Sequence, residues 1–246
     1  MTTGTRRRAT PAAGPGPAQQ TLLRAESASR SFGEVRALVD ADLTIDGGES
    51  VAIMGPSGSG QTTLLHVLAG IITADRGRVL LRGPHSEDWD DIAALSDDER
   101  SALRLRRFGF VFQQGFLLPE LTAEENVALP LLLTGAGRAA SRDAALAGLD
   151  TVGLGGLGDR RIGRLSGGQV QRVAIARALI ADPSMVFADE PTGSLDSHTA
   201  ASVLDLLLDA ARTPDRALVV VTHDPQVAAR CDRVVRLRDG RIEEAS

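Results

Sequence analysis

Residues 55–62 read Gly-Pro-Ser-Gly-Ser-Gly-Gln-Thr, a string whose glycines and hydroxyls suit the handling of phosphate. In the pattern G-x-x-x-x-G-K-[ST], Gly55, Gly58 and Gly60 let the backbone turn tightly and aim amide hydrogens at phosphate oxygens. Pro56, Ser57, Ser59 and Thr63 complete the turn and the start of the helix behind it, whose positive end adds to the field. Thr62 offers a hydroxyl to a divalent cation. The pattern has lysine where this chain has Gln61, and lysine would add a full charge near the β- and γ-phosphates. Gln61 donates a hydrogen bond but carries no charge. A second string, Met185-Val-Phe-Ala-Asp189-Glu190, is an apolar strand that ends in adjacent carboxylates. Buried strands rarely end so unless a cation or a reaction waits there. Asp189 suits holding Mg²⁺ through water, and Glu190 suits orienting and deprotonating an attacking water. A third, Leu165-Ser-Gly-Gly-Gln-Val-Gln-Arg172, sets Ser166 and two glycines at the start of an amphipathic helix, a second anion-binding terminus.

These strings need strands and helices to carry them, and the chain between supplies an alternation. Strands are expected at Leu22–Ala28, Ala41–Ile45, Ser50–Met54, Arg78–Leu81, Phe108–Phe112, Met185–Ala188, Ala217–Thr222 and Arg233–Leu237. Helices are expected at Gln61–Ala69, Gly167–Ile180, Ser197–Arg212 and Pro225–Arg230. Residues 114–163, rich in Leu and Ala, read as a helical insertion with Ala123–Leu133 and Ser141–Val152 as its better helices. The alternation implies an α/β fold with a mostly parallel sheet and ligand chemistry at the C-terminal ends of its strands. Residues 1–20 are small, polar and proline-rich, and read as a disordered tail; Arg6, Arg7 and Arg8 there belong to a solvated segment.

Composition narrows the partners. All 27 Lys+Arg residues are arginine, as a strongly G+C-biased gene or a deliberate removal of lysine would give. No other lysine is therefore present to lend its charge to the loop at 55–62. A net charge of −5 argues against a general nucleic-acid surface. The single Cys231 excludes an internal disulfide and fits a reducing compartment. No apolar run approaches the ~18 residues of a membrane span, so a cytoplasmic protein is expected, with membrane contact made through a partner.

Leu165–Gln169 matches the LSGGQ signature of the ATP-binding cassette ATPases, and the remaining motifs lie in that family's order. The resemblance covers about residues 22–242. Gln113, in Phe110-Val-Phe-Gln, resembles the glutamine that touches Mg²⁺ and links the nucleotide to a helical subdomain. Ser194-Leu-Asp196 is similar to the D-loop, and His223 in Val221-Thr-His-Asp resembles the switch histidine that contacts the γ-phosphate. Phe32 stands where the family carries an aromatic that stacks on adenine.

The resemblance implies a P-loop NTPase (RecA-like) core over 21–113 and 164–246, N-terminal antiparallel strands and an inserted helical subdomain over 114–163. It implies ATP and Mg²⁺ as ligands, with Thr62, Gln113 and Asp189 at the metal and Glu190, His223 and Gln113 in catalysis. In the family two cassettes, identical or different, face head to tail. Ser166, Gly168 and Gln169 would then act on nucleotide bound to the other subunit, and Asp196 of the D-loop would also be a nucleotide-binding residue. An integral membrane permease would dock on residues 114–135, placing the protein on the inner face of the membrane.

The strings around Ala188–Ser197 and Gly109–Val127 are similar to the lipoprotein-release, macrolide-export and cell-division branch. DNA-repair and chromosome-organising cassettes separate the two phosphate-binding strings by coiled coils or zinc modules that this chain lacks, and translation-associated ones carry two cassettes. For Gln61 three readings stand: slow hydrolysis, a regulatory or degenerate cassette that binds nucleotide but turns over little, and a substitution introduced to impair the site.

Overall fold

A computed structural model describes residues 20–83 and 88–245. The tail expected to be disordered lies outside the described residues apart from Gln20. The chain opens with β1 (Thr21–Phe32) and β2 (Val35–Asp46), joined by a two-residue turn in which Gly33 takes a φ of +59°. Both strands run longer than the apolar stretches alone predict, because their hairpin ends, residues 29–32 and 35–37, are half-buried or exposed and carry no apolar run. With β4 (Arg76–Arg82) and β5 (Trp89–Asp91) they form an antiparallel sheet in the order β2-β1-β4-β5.

The second sheet holds the chemistry. Its order is β10-β9-β3-β8-β7-β6, from β3 (Ser50–Met54), β6 (Phe108–Phe112), β7 (Met185–Asp189), β8 (Ala217–Val221), β9 (Arg233–Arg238) and β10 (Arg241–Ala245). All neighbours are parallel except β9 and β10. β3, β7 and β8 are continuous apolar runs, as strands covered on both faces must be. Val51, Ile53, Phe187 and Val219 point into a core shared with the antiparallel sheet and α1 (Gln61–Leu68). Val186, Ala188, Leu218 and Val220 point to the other face. There they meet α3 (Ala123–Leu133), α4 (Arg138–Thr151), α5 (Gly167–Leu179) and α6 (Ser197–Ala211).

Segment 114–163 contains α3 and α4, both packed against α5. Among the strands and α-helices of the described residues, three were not foreseen: β5, β10 and α2 (Asp97–Arg107). α2 buries no residue fully, and the half-buried face it packs, Arg100, Leu103, Arg104 and Arg107, is mostly arginine, so no apolar stripe marks it; a capping box between Ser96 and Glu99 starts it. α7 (Pro225–Ala228) is shorter than expected, its cap carried by Asp224.

Candidate functional site

The glycine loop runs from the end of β3 into α1. Gly58 and Gly60 have φ of +82° and +103°, where a side chain is strained. Packing excludes one as well: a Cβ on Gly60 would sit 2.2 Å from the Ala37 carbonyl oxygen, and one on Gly55 2.3 Å from that of Leu237. The loop is thus seated between β2 and β9. It is also hung there, because the Gly240 amide donates to the Ser59 carbonyl at 2.9 Å and the Val39 amide donates to the Gly240 carbonyl at 2.8 Å. α1 starts with no side-chain cap and no acid in its first turn. Its leading amides are therefore left for an anion. Pro56, Ser57 and Thr62 are exposed at the rim, and Thr63 is half-buried.

Gln61 folds back across this loop. Its Nε2 donates to the Gly55 carbonyl at 2.9 Å, and its Oε1 accepts from the Ser59 hydroxyl at 2.9 Å. The carboxamide joins the two ends of the turn, with a donor at one end and an acceptor at the other.

The neighbouring strands end beside this loop. Asp189 pairs in register with Val221, and Phe112 with Asp189. Glu190 follows with φ of +47°, a strained value for a side-chain-bearing residue, held by its amide donating to the Val221 carbonyl at 2.9 Å. Glu190 Oε1 accepts from the His223 amide at 3.0 Å and lies 2.6 Å from His223 Nδ1. The Glu190 carboxylate, by that hydrogen bond and then by its charge, raises the pKa of the exposed His223. Burial raises the Asp189 carboxyl, opposed by His66 and reinforced by Glu190. Burial likewise lowers His66, opposed by Asp189. His66 lies one helical turn beyond Thr62 on the same face of α1. The sequence reading missed it, although that four-residue spacing from Thr62 was its signal.

Gln113 follows β6 beside this edge, close enough that a Cβ on Gly193 would lie 3.0 Å from its Nε2. The Ser194 hydroxyl donates to its carbonyl at 3.3 Å. The turn it begins is tied to α5: Gln171, 3% exposed, donates to the Phe112 carbonyl, and Arg177 donates to those of Gly115 and Phe116.

Ser166 stands apart from the loop, as the N-cap of α5. It forms a capping box with Gln169, whose amide donates to Ser166 Oγ at 3.4 Å and whose Oε1 accepts from the Ser166 amide at 3.0 Å. Asp196 caps α6, accepting from the amides of His198 and Thr199, and the hydrogen bonds from Thr199 hold its carboxyl below the usual range. A Cβ on Gly168 would lie 2.3 Å from Thr199 Cγ2. Gly168→Ala is expected to destabilise the fold by about 1–3 kcal/mol through this overpacking. Thr199→Ser removes the obstructing methyl, so the double variant recovers most of the loss. Urea unfolding of the single and double variants checks this.

Phe32 lies at the tip of the β1–β2 hairpin, which touches the loop through Ala37. In sum, the structure gathers residues 55–63, Asp189, Glu190, His223 and Gln113 at one edge of the parallel sheet. It places Ser166, Gly168, Gln169 and Asp196 together at the α5–α6 end.

The profile of the ABC transporter family matches residues 38–193. The chain is 44% identical over 233 residues to the lipoprotein-releasing system ATP-binding protein LolD of Xanthomonas oryzae pv. oryzae, covering 93% of each. It is 44% identical over 225 residues to the protein of that name from Bordetella pertussis, covering 90% of this chain and 95% of that one. Among solved structures it is similar to the ATP-binding cassette MJ0796, in a dimeric post-hydrolysis state bound to ADP and Pi. That likeness has a TM-score of 0.81 at 37% identity, over 92% of this chain and 98% of the other. An uncapped glycine loop, a strand ending in Asp189-Glu190, an adjacent histidine and the signature helix lie on a fold shared with these relatives; the chain belongs to the ATP-binding cassette family of transporter ATPases, in the branch of the lipoprotein-releasing ATP-binding proteins.

Proposed function

We propose that this chain is the ATPase subunit of a lipoprotein-releasing type of transporter, working as a dimer on a membrane permease, with its glycine loop weakened at the phosphates by Gln61. The observation that carries the reading is the Glu190–His223 pair beside a glycine loop whose helix α1 starts with no side-chain cap. Glu190 is the general base toward water, and His223, bonded to that carboxylate, orients it and meets the γ-phosphate of bound nucleotide. Phe32 stacks on the adenine, and Gln113 reports occupancy to α5 through Gln171. Ser166, Gly168 and Gln169 of one copy close over nucleotide held by the other, so each copy supplies half of every site.

The donors present fit Mg²⁺. Among the described residues, no cluster of His, Cys, Asp and Glu is set to cage an ion on protein ligands alone. Mg²⁺ suits such a site, because it is usually held by one or two carboxylates with waters and substrate phosphates. Thr62, Asp189 and Gln113 would hold it, and the ion would neutralise charge developing on the phosphates. With no lysine at position 61, Mg²⁺ would be the main full positive charge at the β- and γ-phosphates. ATP affinity is therefore expected to fall at least about tenfold on chelation of the ion. Calorimetric titration with and without chelator checks this, and an unchanged affinity refutes it.

One observation favours a second reading. The Gln61 carboxamide already bonds within the loop at both ends, as suits a cassette that holds nucleotide and seldom turns it over in a regulatory role. Co-expression with a candidate permease decides between them. A co-purifying complex whose ATPase activity disappears in Glu190→Gln supports the transporter subunit. Stable nucleotide binding with no activity above that variant supports the regulatory cassette.

A further inference from the structure

Phe32 is 49% exposed, a large apolar side chain left half in water at the tip of the hairpin that touches the glycine loop through Ala37. One side of its ring is covered: the guanidinium carbon of Arg30 lies 5.1 Å over the ring centroid. Arg30 is itself held from the segment after α1. It pairs with Asp75 at 2.7 Å and donates to the Thr73 carbonyl at 3.2 Å. Asp75 also accepts from the amide of Ser31, between the two side chains, at 2.7 Å. Arg30 Nε is buried and has no hydrogen-bond partner. An unsatisfied buried donor is costly, and here that cost accompanies a guanidinium lying against the ring.

We infer that Arg30 is a positioning residue for the base: with Asp75 it forms a cationic backing that sets the Phe32 ring, leaving the opposite face as a platform for a purine. This rests on the reading of Phe32 as the adenine contact and adds a residue to it. The cation draws on the π-density of the ring. It also fixes the orientation of a side chain that would otherwise sample rotamers at a hairpin tip, so less freedom is lost when the base stacks. The contribution falls on nucleotide binding through the base and not on the phosphates, which the loop at 55–60 handles.

The test compares ATP with inorganic tripolyphosphate, which has the phosphates but no base, by calorimetry on the whole protein with Mg²⁺. Arg30→Gln is expected to weaken ATP binding about three- to fivefold and leave tripolyphosphate binding and kcat at saturating ATP unchanged. Arg30→Lys, which keeps the cation and a partner for Asp75, is expected to stay within about twofold of the parent. In a Phe32→Leu background, Arg30→Gln is expected to have no further effect. Equal losses for ATP and tripolyphosphate, or an undiminished Arg30 effect without the ring, overturn the inference in favour of a merely structural role. A Phe32→Leu chain that binds ATP normally overturns the adenine platform altogether. A loss in Phe32→Leu with none in Arg30→Gln overturns the role of Arg30 alone.

Discussion

Glu190→Gln is expected to lower ATP turnover by about two to four orders of magnitude, the span of general-base catalysis, while leaving ATP bound. The carboxamide keeps the size of the side chain, and its oxygen still accepts from the His223 amide, which now reaches Glu190 Oε1 at 3.0 Å. What disappears is the capacity to take a proton from water. The substitution also removes the negative charge that raises His223. Single-turnover hydrolysis measured beside equilibrium binding separates the two effects. A variant that binds ATP and hydrolyses it at the parent rate would falsify the assignment of Glu190 as base.

Gln61→Lys is expected to raise ATPase activity at least roughly tenfold. A unit charge pair at 4 Å is worth about 4 kcal/mol at an effective dielectric of ~20, and neutral hydrogen bonds have about half the strength of charge-assisted ones. A tenfold gain takes ~1.4 kcal/mol of that difference. The loop geometry permits the exchange, since Gln61 bridges the Gly55 carbonyl and the Ser59 hydroxyl, and an ammonium can donate to both oxygens. Glutamine therefore does the bracing half of the lysine's work and omits the electrostatic half. Gln61→Leu separates these halves: it lacks both, and is expected to bind ATP more weakly than the parent. Equal rates for Gln61→Lys and the parent would show that the charge is not limiting.

The strands that carry the chemistry were legible because they are continuous apolar runs that stop at charged or glycine-rich turns, as at Met185–Asp189 and Ser50–Met54. α3 was placed at its observed bounds, with Thr122 capping one end and Gly135 following the other. α2 escaped because the face it packs, Arg100, Leu103, Arg104 and Arg107, is mostly arginine and gives no apolar period, although Ser96 and Glu99 marked its start. β10 escaped as a short, polar edge strand, although Asp239-Gly240 is a hairpin turn.

The site divides in the same way. Residues fixed by local motif, such as Gly55–Thr62 and Asp189-Glu190, could be named from the sequence. His66 had only its spacing from Thr62 to mark it, and Arg30 had nothing, because their significance comes from what the fold sets beside them: Asp189 at the end of β7 for His66, and Phe32 with Asp75 from the segment after α1 for Arg30. The closed hydrogen-bonding of Gln61 within its own turn was equally out of reach, since a residue type does not say which way its amide folds.

The hydrogen bond from Gly240 to Ser59 has a temporal side. A ribosome makes residues 55–60 well before β9 and the Gly240 turn on which they rest. β3 too must wait for β8 and β9 on its two flanks. A nascent chain therefore cannot acquire affinity for triphosphate piecemeal. The cradle is complete only once β8, β9 and the Gly240 turn have followed it off the ribosome.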